Sequence, residues 1–252
     1  MNILVVNDDG IHAEGLKVLS KALSKEHSIT VAAPVLECSA TSHHTTMFSP
    51  MKVIEAEIHG LDAKCYAVYG MPADCVKVAL MQLMDEKPDL VISGINCGPN
   101  VGTDIIYSGT VAAAMEGVLA GCKSIAVSVA SHFPDEYDTA AAITLRLVKT
   151  CENMDFDERS MLNVNIPNLP LDRIKGIKAA PMGVNKYSDR YEEHLDAFGK
   201  KYYWLKGEPL EDPFNEKGTD IMWLRDGYIT VSPLWYNLTN GRFLRKLKHI
   251  HF

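Results

Sequence analysis

Two adjacent carboxylates stand at the end of the first apolar run of the chain. The run I-L-V-V is followed directly by N-D-D-G at positions 7–10, which places Asp8 beside Asp9. Adjacent carboxylates repel each other, and burying them costs free energy unless a cation is present. Asn, Asp and Gly are also common turn residues, and either aspartate could cap a following helix. The pair is therefore compatible with an ordinary turn or with a cation site.

Two later polar segments carry further oxygen ligands. The segment P-V-L-E-C-S-A-T-S-H-H-T-T contains Ser39, and S-G-I-N-C-G-P-N contains Asn96. Taken singly, each of these residues fits a loop or a turn. Together with Asp8 and Asp9 they form a set of hard oxygen ligands, which suits Mg²⁺ or Mn²⁺ better than zinc. We therefore predict a divalent-cation site that leaves coordination positions for water or a substrate.

Small hydroxyl residues precede the apolar run V-A-A-A-M-E-G-V-L-A. Ser108, Gly109 and Thr110 would lie at the N-terminus of the helix that this run predicts, where free backbone N–H groups can bind an anion. On these residues alone an ordinary helix cap is the simpler interpretation. The nearby glycines do not follow G-x-G-x-x-G, and the chain contains no G-x-x-x-x-G-K-[ST]. Dinucleotide and P-loop nucleotide binding are therefore disfavoured.

Other polar residues near these segments have weaker assignments. His43 could donate a proton to a leaving group, although loop histidines are more often only solvated. Cys38 and Cys97 flank the predicted ligands and are interpreted as small packing residues. Lys77 is interpreted as a solvated residue on its helix.

The elements that must position these residues alternate between strands and helices. Apolar, unbroken strands alternating with helices predict a parallel sheet covered on both faces. The carboxyl ends of such strands form one rim, so the three polar segments would meet there. Predicted strands are 3–7, 28–33, 52–58, 64–68, 89–93, 124–129 and 161–166, and predicted helices are 13–25, 72–83, 110–119 and 140–151. The long segment 35–50 is predicted to be a loop.

The pattern changes beyond about residue 170. Strand-like pieces at 174–179, 201–206 and 228–233 alternate with polar turns, and Thr239 is predicted to cap a last helix. We predict one domain, with a core of about 1–170 and a C-terminal extension of about 171–252. Aromatic residues in this extension could belong to the core or to an oligomer contact.

The overall composition is that of a globular protein. The 252 residues are 47% hydrophobic and carry a formal charge of -7, which argues against a stable complex with long nucleic acid. The six cysteines are scattered and form no C-x-x-C pair, as expected in a reducing compartment. We found neither a signal-peptide pattern nor a membrane-span pattern, so the expected location is the cytoplasm.

Five motifs, in this order along the chain, resemble those of the SurE family (survival protein E). They are V-N-D-D-G, A-P-x-x-E-x-S-A-T, G-M-P-A-D-C-V-K, S-G-I-N-x-G-P-N and Y-S-G-T-V-A-A-A-M-E-G. The resemblance implies a divalent-metal-dependent phosphatase of nucleoside 5′- and/or 3′-monophosphates. It also implies a Rossmann-like three-layer α/β/α core with a mostly parallel sheet. A C-terminal hairpin and helix extension would be exchanged between subunits of a homodimer, often within a homotetramer.

The same resemblance implies roles for individual residues. It implies one divalent ion per subunit, Mg²⁺ or Mn²⁺, with the metal ligands Asp8, Asp9, Ser39 and Asn96 and with the two aspartates as the catalytic pair. The substrate-binding residues that it implies are Asn7, Gly10, Ser108, Gly109 and Thr110. Departures from the family pattern at Cys38, Ser42 and Cys97 lie beside the metal positions and bear on substrate preference.

The combined hypothesis is a hydrolase that uses metal-activated water, with His43 as a candidate general acid. Two alternatives stay open. A receiver-like signalling domain has a similar acidic pair, but it needs a phospho-accepting aspartate where the strand D-L-V-I-S-G-I-N ends in Asn96. A haloacid-dehalogenase-type phosphatase usually needs D-x-D, whereas Asp8 and Asp9 are adjacent. The sequence therefore favours direct attack by water over an aspartyl-phosphate intermediate.

Overall fold

Strands and helices alternate through the first two thirds of the computed structural model, which describes residues 1–210, 217–248 and 250. These elements are β1 (Asn2–Val6), α1 (Glu14–Leu23), β2 (Ser28–Pro34), β3 (Val53–Ala56), β4 (Lys64–Val68), α2 (Pro72–Val78), β5 (Leu90–Cys97), α3 (Gly109–Leu119), β6 (Lys123–Val129), α4 (Tyr137–Glu152) and β7 (Ser160–Ile166). A π-helical turn, Ala79–Leu83, continues α2, and a 3₁₀ turn, Gly102–Tyr107, precedes α3. Each strand and helix predicted in this region is present; β4 has the predicted bounds, and the other elements have shifted ends.

The remaining elements were predicted less completely. They are a 3₁₀ turn (Leu171–Arg173), β8 (Ile177–Ala179), β9 (Lys186–Tyr187), β10 (Arg190–Leu195), β11 (Lys201–Lys206), β12 (Pro209–Leu210), α5 (Asp220–Arg225), β13 (Ile229–Trp235) and α6 (Gly241–Leu247). The predicted cap of the last helix is wrong by one position. Asn240 caps α6, because its side-chain oxygen accepts a hydrogen bond from the Phe243 N–H at 2.9 Å.

Nine strands form one sheet, in the order β3-β4-β2-β1-β5-β6-β7-β13-β8. The strands from β4 to β7 in this order are parallel, whereas β3 and β13 run antiparallel to their neighbours β4 and β7. Helices α1 and α4 contact each other on one face, and α2 and α3 contact each other on the other face. The predicted α/β class with a mostly parallel sheet is therefore confirmed.

The unbroken apolar run of β1 follows from burial on both faces. Ile3 and Val5 belong to one core cluster, which contains residues of α1 and α4. Leu4 and Val6 belong to a second cluster, which contains residues of α2. Because successive side chains of a strand point to opposite faces, a strand covered on both sides must be apolar at every position.

The first strand also fixes where a ligand would bind. β1 lies between β2 and β5 in the sheet. The next strand along the chain therefore pairs with one edge of β1, and a later strand pairs with its other edge. Such a switch point opens a crevice at the carboxyl ends of the strands. The N-D-D-G segment follows β1, and Asn96 lies near the end of β5, where the register with β6 shifts between Ser93 and Asn96.

The C-terminal extension has two structural parts. β13 and β8 complete the main sheet, so the extension contributes to the core sheet itself. β10 and β11 instead pair only with each other, as an antiparallel hairpin. The described residues contain no helix that is long and apolar enough to cross a membrane.

Candidate active site

A cavity of about 640 Å³ opens at the carboxyl ends of the central strands. It brings together all four predicted metal ligands and one predicted substrate-binding residue: Asp8, Asp9, Ser39, Asn96 and Ser108. A larger open cavity of about 920 Å³ is lined by residues such as Asn2 and Asp85, outside this rim, and contains none of the predicted site residues. We therefore take the smaller cavity as the candidate site.

The N-D-D-G segment forms a tight turn as well as presenting its carboxylates. Asn7 donates its side-chain N–H to the Gly10 carbonyl at 3.0 Å and accepts the Gly10 N–H at 3.2 Å. Gly10 has a φ of +101°, a conformation that other residues adopt only with strain. Asn7 and Gly10 thus shape the turn, and neither is among the described residues that line the cavity.

The N-terminus of α3 packs directly against Asp8. Thr110 donates its hydroxyl proton to Asp8 Oδ1 at 2.6 Å. A Cβ atom at Gly109 would lie only 2.9 Å from Asp8 Cβ and Oδ2, so this close approach requires glycine. Ser108 caps the helix by accepting the Val111 N–H at 3.1 Å. The cap interpretation is therefore confirmed, and the capped helix end lies against the carboxylate pair.

Asp8 and Asp9 both have raised pKa values. Burial raises the pKa of Asp8, although its hydrogen bond with Thr110 opposes this shift. Burial and then the charge of Asp8 raise the pKa of Asp9 to about 7. The Cys97 N–H, which donates to Asp9 Oδ2 at 3.2 Å, compensates only in part. The folded chain thus concentrates negative charge at this point at a cost in free energy.

The two neutral ligands reach the cavity from separate segments. Ser39 donates its hydroxyl proton to Glu37 Oε1 at 2.7 Å, and the preceding Cys38 N–H donates to the Asp8 carbonyl at 2.7 Å. Asn96 donates its amide N–H to the Gly98 carbonyl at 2.8 Å, which leaves its amide oxygen for another partner. Both residues therefore keep an oxygen lone pair available to a cation.

The charge of the cavity fits a divalent cation. Four carboxylates line it, those of Asp8, Asp9, Glu37 and Asp104, and none of the described lining residues is Lys or Arg. The described part of the chain holds no cluster of three or more His, Cys, Asp or Glu residues arranged to bind a metal ion. The oxygens of Ser39 and Asn96 line the same cavity as the two aspartates and could bind a cation together with them. This set of hard oxygens suits Mg²⁺ or Mn²⁺.

A family model described as "Survival protein SurE" matches residues 3–189 of the chain. The chain belongs to the SurE family. The 5′-nucleotidase SurE of Carboxydothermus hydrogenoformans is 44% identical, over 98% of this chain and 95% of that protein. The 5′-nucleotidase SurE of Thermosynechococcus vestitus is 42% identical, over 98% of this chain and 95% of that protein. A crystal structure of the SurE protein from Aquifex aeolicus matches with a TM-score of 0.83 and 38% identity, over 99% of both chains.

Three residues have surroundings in this SurE-family protein that the sequence did not predict. His43 lies against Glu116, with its Nε2 atom 2.8 Å from Oε2, and is not among the described residues that line the cavity. Lys77 binds the same carboxylate at 2.6 Å, which corrects its interpretation as a merely solvated residue. Cys97 lines the cavity and donates its thiol proton to the His132 carbonyl at 3.2 Å. This corrects its interpretation as only a small packing residue.

Sequence reasoning also left several residues of the cavity wall without an assigned role. Glu37, Asp104, His132 and Tyr137 all line the cavity. Asp104 accepts hydrogen bonds from Asn185 at 2.8 Å and from the Tyr187 hydroxyl at 2.5 Å, so the C-terminal extension reaches this wall. His132 follows β6, and the rule that ligands bind at carboxyl ends of strands would have found it, had it been applied to a fourth strand.

Proposed function

We propose that this SurE-family protein is a phosphatase that hydrolyses nucleoside 5′- and/or 3′-monophosphates with a divalent cation. The observation that carries the proposal is the acidic cavity beside the N-terminus of α3. A phosphate monoester is an anion, and four carboxylates would repel it unless a cation neutralised them. The relatives named 5′-nucleotidase SurE support a nucleotide as the substrate.

The four predicted metal ligands have the central role in this proposal. Asp8, Asp9, Ser39 and Asn96 would hold one Mg²⁺ or Mn²⁺ per subunit. A bound ion of this kind lowers the pKa of water and draws negative charge off a phosphoryl group. Thr110 fixes the orientation of the Asp8 carboxylate through its short hydrogen bond.

The end of α3 supplies the second part of the site. The positive end of the dipole of α3 lies beside Asp8, where it would attract the oxygens of a phosphate held by the cation. Ser108 lines the cavity at this point, and its hydroxyl can donate to a phosphoryl oxygen while its oxygen caps the helix. Donors fixed before the reaction stabilise the charge that develops on the phosphoryl group.

Membership of the SurE family favours this enzyme over the receiver-like and haloacid-dehalogenase-type alternatives. The adjacency of the two aspartates favours direct attack by water over an aspartyl-phosphate intermediate, because both would be metal ligands and neither would act as a nucleophile. We further propose a cytoplasmic location and a homo-oligomer, with no stable complex with nucleic acid.

The test is the variant Asp9→Asn, assayed for phosphate release from nucleoside 5′- and 3′-monophosphates with added Mg²⁺ or Mn²⁺. Turnover should fall to background while the circular dichroism spectrum stays that of the wild type, because the amide keeps the shape but loses the charge. Asp85→Asn is the matched control, since its side chain is 92% exposed and lies outside the cavity. Near-normal turnover of Asp9→Asn, or trapping of a phospho-aspartate on the wild-type enzyme, would contradict the proposal.

A further inference from the structure

The carboxylate of Glu116, on α3, is buried outside the cavity and contacts side chains from two other segments of the chain. The side chain of Glu116 is only 7% exposed. Its Oε2 atom lies 2.8 Å from His43 Nε2, and its Oε1 atom lies 2.6 Å from Lys77 Nζ. The three residues come from α3, from the loop between β2 and β3, and from α2. None of them is used by the reaction proposed above.

The cluster is a charged one. Burial raises the pKa of Glu116, but the hydrogen bonds from His43 and Lys77 outweigh it and leave the pKa below its usual value. An ionised carboxylate only accepts hydrogen bonds, so His43 Nε2 must carry a proton and donate it. Removing either donor would leave a buried charge with only part of its compensation.

The loop that carries His43 also carries Ser39. Residues 35–52 are all described and form no helix or strand. Two of them, Ala40 and Ser42, have φ values of +56° and +54°, which non-glycine residues adopt only at a cost in free energy. The loop therefore needs external contacts to hold its shape.

A few contacts supply that constraint. The Cys38 N–H donates to the Asp8 carbonyl at 2.7 Å, and the Ser42 N–H donates to the Tyr107 carbonyl at 2.9 Å. The Thr46 N–H donates to Asp74 at 3.0 Å. His43 adds a side-chain hydrogen bond to Glu116, which lies on the same helix as Thr110.

We propose that Glu116 is a positioning residue, which holds the Ser39 loop against the aspartate pair through its bond with His43. Lys77 supplies the countercharge that keeps the carboxylate in place. The inference rests on the proposed function in one respect, namely that Ser39 is a cation ligand. A purely structural role of Glu116 in packing α2 on α3 would lower thermal stability but would leave cation affinity unchanged.

The experiment compares His43→Asn, His43→Gln and Glu116→Gln with the wild-type protein. Hydrogen–deuterium exchange of the 38–46 amides and the affinity for Mn²⁺ alone, by titration calorimetry, are measured for each. His43→Asn and Glu116→Gln should each speed exchange in this loop and weaken Mn²⁺ binding by about tenfold, the size seen when partners of metal ligands are removed. His43→Gln should recover most of the affinity, because its amide nitrogen can replace Nε2 as the donor.

Two further variants show whether the effects come from the contact between His43 and Glu116. The double variant His43→Asn/Glu116→Gln should be no worse than either single variant, because the two residues act as one unit. Glu26→Gln is the control, since Glu26 pairs with Lys149 at 2.9 Å outside the site, and it should change neither readout. At saturating Mn²⁺, kcat of Glu116→Gln should return to within about twofold of the wild-type value, because Glu116 contacts none of the reacting groups.

Unchanged loop exchange, or unchanged Mn²⁺ affinity, in His43→Asn would overturn the inference. His43→Asn tests the inference even if Glu116→Gln does not fold. The His43 side chain is 36% exposed, so its replacement should not prevent folding. A wild-type protein that binds Mn²⁺ but hydrolyses no nucleotide would refute the proposed function and leave this test intact. An active wild-type enzyme with normal Mn²⁺ affinity in His43→Asn would refute the inference alone.

Discussion

At the scale of single residues, the open question in the cavity is which group protonates the leaving nucleoside. The Nε2 atom of His43 is bonded to Glu116, and His43 does not line the cavity in the described part of the chain. His132 does line it, and its ring lies 3.2 Å from where a Cβ of Gly98 would stand. His132 is therefore the better-placed proton donor, and the assignment of His43 stays a prediction.

The variant His132→Gln separates the two histidines. It should lower kcat for a nucleoside monophosphate by about 100-fold, the lower end of the usual contribution of a general acid. Hydrolysis of p-nitrophenyl phosphate should stay near the wild-type rate, because p-nitrophenolate leaves without a proton. The exposed His59 provides a control, His59→Gln, with no effect on either substrate. An equal loss on both substrates would show that His132 binds substrate instead, and a leaving-group effect in His43→Asn would favour His43.

At the scale of elements, the loop between β2 and β3 has strain that a substitution can measure. Ser42 has a φ of +54°, and its hydroxyl donates to the Ile106 carbonyl at 2.8 Å. Ser42→Ala removes the hydrogen bond and keeps the strain, so it should lower the free energy of unfolding by about 1 kcal/mol. Ser42→Gly also removes the strain, worth about 1 kcal/mol, and should be close to the wild type.

Ser24 provides the matched comparison for urea unfolding of these variants. Its hydroxyl also donates to a carbonyl, that of Lys21 at 3.2 Å, but its φ is an ordinary −63°. Ser24→Gly should therefore be less stable than Ser24→Ala, because glycine loses more entropy on folding and relieves no strain. If Ser42→Gly is also less stable than Ser42→Ala, the loop does not have the strain that its backbone angles indicate.

The elements that the sequence predicted well are those whose burial is visible in local pattern. The strand β1 is apolar at four consecutive positions because it is buried on both faces, and β4, which is also largely buried, was predicted with its exact bounds. The strand β10 was missed because its segment R-Y-E-E-H-L is polar and largely exposed, so no apolar alternation marks it. The partners of Glu116 could not be predicted either, since they depend on how α2 packs on α3.

The candidate site was predictable for a related reason. Asp8, Asp9, Ser39 and Asn96 follow three strands whose parallel pairing could be inferred, so their meeting at one rim followed from topology. The contacts of Asp104 in the cavity wall were not predictable, because they involve residues of the extension far along the chain. Long-range contacts of this kind leave no periodic signal in the sequence.

At the scale of the whole molecule, the hairpin of β10 and β11 has an exposed apolar surface that the rest of the described chain does not cover. All six residues of β11 are exposed, and Tyr191, Tyr203 and Trp204 are 70%, 55% and 61% exposed. A two-stranded hairpin is marginally stable by itself in water, and exposed apolar patches usually mark an interaction site. We therefore expect a second copy of the chain to cover this hairpin, in line with the predicted homodimer or homotetramer.

The double variant Tyr203→Ser/Trp204→Ser tests this expectation by sedimentation velocity. It should sediment as a smaller species than the wild type at the same concentration, because it removes apolar area from both faces of the hairpin. Phe133→Ser is the control, since Phe133 is 92% exposed but lies on the loop after β6, and it should leave the sedimentation coefficient unchanged. A wild-type protein that is itself a monomer would refute the predicted oligomer. An oligomer that survives the double variant would instead place the interface on a surface other than the hairpin.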